Sequence, residues 1–148
     1  IFVMRTFSKA FGLAALRIGY LIADKEAVDM MNKLRLTFNV NMVAQAAAEA
    51  ALKDIPHLQR VIQENSQGKE YLYQQLDGMG TRYIPTQANF ILVHVENGQD
   101  VFADLLREGV IVRFLGKNLP DWIRVSIGTK QENQFFITKL KKVLGHSK

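Results

Sequence analysis

Residues 17–23, Arg-Ile-Gly-Tyr-Leu-Ile-Ala, are apolar at nearly every position. A strand with one wet face alternates, whereas a continuous apolar run must be covered on both faces, as in parallel sheets flanked by helices. A second short apolar strand is expected over residues 1–5, with a loop over 6–16 between the two. Asp24 is placed to cap a helix in which Ala27, Met30, Met31 and Leu34 recur at helical spacing. The segment Phe38-Asn39-Val40-Asn41 breaks that helix, and the alanine-rich stretch from Val43 to Leu52 forms another able to pack closely.

Pro56 begins a long helix reaching about Leu76, with Leu58, Val61, Ile62, Leu72 and Leu76 on its apolar face and Gly78 and Gly80 ending it. Strands are expected near 81–84, 89–95, 110–114 and 122–127, and helices near 99–108 and 130–144. The last helix carries a capping box, Thr129 with Glu132, and ends at Gly145. The organisation is lopsided. Residues 1–53 read as the tail of a parallel α/β unit, and residues 54–148, including the long connecting helix, as a small α+β domain. The first residues, Ile-Phe-Val-Met-Arg, lack the features of a signal peptide and read as the middle of a strand, so a chain cut from something longer is expected.

Composition narrows the chemistry. There is no cysteine, which removes disulfides and thiolate catalysis. His57, His94 and His146 are scattered without metal-ligand spacing, so no metal site is expected. The net charge of +5 is spread without a dense run. The cluster Lys139, Lys141 and Lys142 lies near a helix C-terminus, where cations suit the dipole without any partner. No apolar run is long enough to span a bilayer.

The most informative stretch is Thr6-Phe7-Ser8-Lys9-Ala10-Phe11-Gly12-Leu13-Ala14-Ala15-Leu16-Arg17-Ile18-Gly19-Tyr20. A lysine follows a strand, beside a serine, and an arginine opens the next strand. Lysine condenses with aldehydes when its charge is disfavoured; a hydroxyl and a planar guanidinium suit a phosphate. The set fits an aldehyde cofactor bearing a phosphate. It equally fits a surface Ser-Lys pair with Arg17 in a strand-edge ion pair. Downstream, Arg124 sits inside an apolar strand, where a charge must be paired or face a cleft; a structural salt bridge is the plainer reading.

The lysine stretch resembles the signature of fold-type I pyridoxal-phosphate aminotransferases, Ser-Lys-x-(Phe/Tyr)-Gly-(Leu/Met)-x-Gly-x-Arg-x-Gly-(Tyr/Trp), with Ala15 where the family usually has glycine. Within that family's class II, several stretches resemble histidinol-phosphate aminotransferases. They are Thr37 to Asn41, Thr86 to Phe90, Gly109 to Arg113, Leu119 to Trp122, and Ile123-Arg124-Val125-Ser126-Ile127-Gly128-Thr129. The resemblance implies an α/β fold: the tail of the large transferase domain over 1–53, then the small C-terminal domain. It implies that Lys9 bonds to pyridoxal 5'-phosphate and later moves the proton, and that Ser8 and Arg17 hold the cofactor phosphate. It also implies that Arg124 binds the substrate α-carboxylate and that Arg113 lies near a substrate phosphate, with Phe114 in place of the usual proline. Small-molecule amino donor and 2-oxo-acid substrates, a cytoplasmic homodimer, and no nucleic-acid or membrane partner are implied too.

The family also needs a glycine-rich loop, a stacking aromatic and a ring-nitrogen aspartate. None has a candidate here, so this chain alone is expected to be inactive. An aromatic-amino-acid aminotransferase and a threonine-phosphate decarboxylase share the lysine loop. The alternative from another class is a non-catalytic basic α+β binding module; Phe90, Phe102, Phe135 and Phe136, expected in the core, speak against it.

Overall fold

The computed structural model describes residues 1–145; His146 lies outside them. The chain is mixed α/β and divides into two compact units, Ile1–Ile62 and Gln63–Lys148.

The first unit opens with β1 (Val3–Thr6) and β2 (Gly19–Ile22). They pair antiparallel, from Val3 opposite Ile22 to Thr6 opposite Gly19, which corrects the parallel expectation. Their connection holds only a 3-10 turn, Ala14–Leu16, whereas a parallel pair needs a crossover, usually helical. The expected burial of 17–23 on both faces is also absent. Among the described residues each strand pairs with the other alone, and Met4, Tyr20 and Ile22 are exposed.

Next come α1 (Lys25–Leu34) and α2 (Met42–Lys53). Asp24 caps α1 as expected, its carboxylate accepting from the Glu26 amide at 2.9 Å. Asn41 does the same for α2, accepting from the Ala44 amide at 2.8 Å. Ala44 and Ala48, one turn apart, form the buried stripe of α2; α1 buries no residue, and Met30, Met31 and Leu34 are exposed.

The long helix α3 (Ile55–Gly78) contains the division between the units. Its buried residues are Gly68, Leu72 and Leu76. Leu58 and Val61 are only half-buried and Ile62 is exposed, so the expected apolar face narrows to its second half. There the helix has a sheet to cover.

That sheet comprises β3 (Tyr83–Ile84), β4 (Phe90–His94), β5 (Arg113–Phe114) and β6 (Trp122–Ser126). All pairs are antiparallel, in the order β3-β4-β6-β5. The strand period of two sends Ile91, Val93, Ile123 and Val125 to one face, where they are buried. Leu72 and Leu76 of α3 join them in one core, with Leu105 of α4 (Gly98–Arg107) and Phe136, Ile137 and Leu140 of α5 (Lys130–Val143). The opposite face carries Phe90, Leu92, His94, Trp122, Arg124 and Arg113, none of them fully buried.

Local chemistry fixes how the helices meet the sheet. The Thr129–Glu132 capping box forms in both directions. Buried Asn133 clasps Gly128, its Oδ1 accepting from the Gly128 amide and its Nδ2 donating to the Gly128 carbonyl, each at 3.0 Å. Gly68 lets α3 approach this corner: a Cβ there would stand 2.6 Å from Ile127 Cγ2 and 2.9 Å from Asn133 Nδ2. The lysine cluster has a partner after all. Glu108, just past α4, accepts from Lys142 at 2.6 Å and Lys139 at 2.9 Å, while Lys141 donates to Gln75. Of the four phenylalanines expected in the core, Phe136 is buried, Phe90 and Phe102 are half-buried and Phe135 is exposed. Phe135 lies on the outer side of α5, under the ammonium of Lys139 at 5.3 Å.

Hydrogen bonds from Lys142 and then Lys139 hold the Glu108 carboxyl at about 2, below its ordinary 4.5. A carboxylate depressed in the folded state stabilises above its unfolded pKa, and that contribution disappears as pH falls through the folded value. Glu108→Gln is therefore expected to lower stability at pH 7, with the gap to the parent closing between about pH 4.5 and pH 2; denaturant titrations across that range measure it. Gly68→Ala gains about 0.5–1 kcal/mol of helix propensity but meets an overpacking cost of about 1–3 kcal/mol. A net loss of roughly 1–2 kcal/mol is expected in urea unfolding. Gly78→Ala, where a Cβ meets nothing within 4 Å, should gain about 0.5–1 kcal/mol.

Candidate active site

In the first unit the lysine loop is the mouth of the β1–β2 hairpin. The Phe7 amide donates to the Ile18 carbonyl at 3.1 Å, extending the pairing by one rung. Phe7 is the buried pivot, 3 % exposed, with the rings of Phe11 at 4.9 Å and Tyr20 at 5.9 Å. Beyond it the chain turns at once: Gly12 donates to the Lys9 carbonyl at 2.8 Å and Leu13 to the Phe7 carbonyl at 2.9 Å. Gly12 takes a φ of 72°, which glycine adopts without strain. Lys9 thus starts a closed turn. Its side chain is exposed, and among the described residues it has no hydrogen-bond or ion-pair partner.

Ser8 and Arg17 follow the Thr6–Gly19 and Phe7–Ile18 rungs, so the hairpin register carries them to opposite sides of its mouth. Thr6 orients Ser8: its Oγ1 donates to Ser8 Oγ at 2.9 Å and accepts from the Ser8 amide at 3.0 Å. Arg17 sits in the left-handed region, φ 54° and ψ 46°, a strained conformation for a side chain of this size. Its Nη1 donates to the Ala14 carbonyl at 2.8 Å. Arg17 is in no ion pair among the described residues. Two residues here escaped sequence reasoning, Thr6 and Phe7. The Thr-x-Ser spacing was the available signal for the first, because hydroxyl side chains bond amides two residues on. Gly19 has a backbone reason: a Cβ would stand 2.6 Å from the Arg5 carbonyl oxygen of the facing strand.

In the second unit Arg113 and Arg124 are direct cross-strand partners on β5 and β6. Directly opposed residues share a face, and like charges so placed repel. Neither arginine is in a salt bridge among the described residues, where the ion-pair reading is thus not found. Arg124 is half-buried with its guanidinium carbon 5.2 Å from the centre of the Phe90 ring; Arg113 is exposed. Phe90 leaves a braced turn, in which Thr86 Oγ1 accepts from the Ala88 amide at 3.0 Å and the Asn89 carbonyl accepts from Ile127 at 2.9 Å.

Each cluster has its own chemical capacity. The hairpin mouth offers a primary amine, a hydroxyl and a guanidinium. The sheet face offers two guanidinium forks with no acidic partner among the described residues, a set suited to carboxylate or phosphate. Among the described residues no cluster of histidine and carboxylate side chains could hold a metal ion, and no helix is long and apolar enough to cross a membrane.

Known proteins resemble this chain along nearly its whole length. The family model "Aminotransferase class I and II" matches residues 1–140. A histidinol-phosphate aminotransferase of Akkermansia muciniphila is 50% identical over 143 residues, covering 96% of this chain and 39% of that protein. One from Moorella thermoacetica is 45% identical over 148 residues, covering 97% and 38%. Among solved structures, the histidinol-phosphate aminotransferase from Sinorhizobium meliloti in complex with pyridoxal-5'-phosphate is similar at a TM-score of 0.87 and 27% identity, over 98% of this chain and 41% of that one. The chain spans about two fifths of the length of these relatives. With the match running through the lysine loop and the arginine strands alike, the chain belongs to the class I and II aminotransferase family.

Proposed function

We propose that this chain is the C-terminal part of a histidinol-phosphate aminotransferase, a homodimeric cytoplasmic enzyme that moves an amino group between L-histidinol phosphate and 2-oxoglutarate. In this reading residues 1–53 belong to the large cofactor domain and 54–148 form the small domain. The observation that carries it is the hairpin mouth, where Lys9 starts a tight turn flanked by Ser8 and Arg17. The names of the relatives at 45–50% identity support the substrate.

The residues present fit pyridoxal phosphate by their donor chemistry. Ser8 and the remaining N–H groups of Arg17 would donate to the phosphate. The Thr6 hydroxyl and the Ala14 carbonyl, already bonded to these side chains, hold them in place. When bound, the cofactor supplies the aldehyde that takes up the amino group and the ring that accepts negative charge from the reacting carbon. Lys9 Nζ would hold the cofactor, and its amine is the group that would move the proton at the reacting carbon. Arg124 binds the α-carboxylate of 2-oxoglutarate as a two-pronged donor, fixing its orientation. Histidinol phosphate has no carboxylate and ends in a phosphate. The opposition of Arg113 and Arg124 favours a doubly charged anion shared by both, because it relieves the repulsion between them.

In the full-length enzyme Lys9→Ala is expected to abolish transamination, and borohydride should no longer fix cofactor on the peptide containing residue 9. Retained activity would refute the assignment. Arg113→Ala is expected to lower kcat/KM for histidinol phosphate by an amount on the order of 1.5–3 kcal/mol, one charged hydrogen bond, and to matter less for a donor without phosphate. Paired half-reaction assays decide it; equal losses for both donors would favour an aromatic-amino-acid aminotransferase.

A further inference from the structure

We propose that Phe90 is the positioning residue for Arg124: an aromatic shelf, rather than a carboxylate, holds the guanidinium in place. The inference rests on the reading of Arg124 as a carboxylate ligand. The register pairs Leu92 with Arg124 and Phe90 with Ser126, so Phe90 is the diagonal neighbour of Arg124 on the same face, and the guanidinium carbon lies 5.2 Å from its ring centre. A charged side chain facing Arg113 across the sheet needs an attraction to fix its direction. A carboxylate could provide it, but would then occupy the donors. A ring face attracts the cation through its quadrupole and takes no N–H. Among the described residues Arg124 has no salt-bridge partner, which leaves its fork open to a ligand. The shelf itself is rigid: the Phe90 strand is paired to β6, and the preceding turn is tied down through the Ala88, Asn89 and Thr86 bonds and by Asn65 donating to the Ala88 carbonyl.

The test uses the full-length enzyme with cofactor bound and glutarate, an unreactive dicarboxylate, as the probe in calorimetry. Fluorinating the ring at position 90 in steps, up to 3,4,5-trifluorophenylalanine, weakens its quadrupole at nearly constant shape. Glutarate affinity is expected to fall stepwise, by roughly 2- to 30-fold in total, the equivalent of about 0.5–2 kcal/mol. Phe90→Tyr should keep affinity near the parent. Phe90→Leu should weaken binding in the parent but add no loss once Arg124→Ala is present. A flat response to fluorination, with Arg124→Ala still weakening glutarate, overturns the role of Phe90 alone. An equal loss from Phe90→Leu in both backgrounds makes Phe90 a packing residue and also overturns it. No loss from Arg124→Ala removes the carboxylate reading beneath it.

Discussion

The pairing of β4 with β6 is the constraint on which the second unit depends. Because side chains alternate along a strand, this register puts Ile91, Val93, Ile123 and Val125 into the core and leaves Phe90, Leu92, Trp122 and Arg124 on the other face. A slip of one residue would exchange the two sets, burying a guanidinium and exposing the core. Three helices seal the apolar face, and the Asn133–Gly128 clasp secures the strand exit where α5 begins. The sheet is thus specified by its core face, and the arrangement of cations on its other face follows at no further cost in specificity.

The two clusters are built by different means. In the hairpin, position comes from backbone: a glycine turn, a left-handed arginine and a strand contact too close for any Cβ at Gly19. In the sheet, position comes from regular pairing and an aromatic neighbour. Loops suit the first task because they supply unusual dihedral angles, and strands suit the second because their spacing repeats.

Much of this was legible in the amino-acid sequence. The capping box, the Asp24 cap and the strand and helix order of residues 81–144 emerged with boundaries shifted by a few residues. The lysine loop was found through its spacing and its family likeness. What the sequence obscured was non-local. An apolar run at 17–23 says that cover is needed without saying which strand lies beside it or in which direction. The lysines of α5 gave no sign of Glu108, which lies thirty-odd residues away. The opposition of Arg113 and Arg124 depends on a register that no local pattern encodes. Asn133 sits in the first turns of α5 with no local pattern to mark it, yet among the described residues it is the one buried polar side chain.

The opposed arginines give the sheet an electrostatic imbalance of its own. Two cations on adjacent strands raise the free energy of the sheet whenever only solvent screens them. An anion that settles against both returns that energy as affinity, so part of its binding is earned before it touches the protein. On the proposed reading of these arginines as anion ligands, selectivity for charge and stability of the strand pair are linked quantities: a neutral side chain at either position would quiet the sheet and blunt the discrimination between singly and doubly charged ligands.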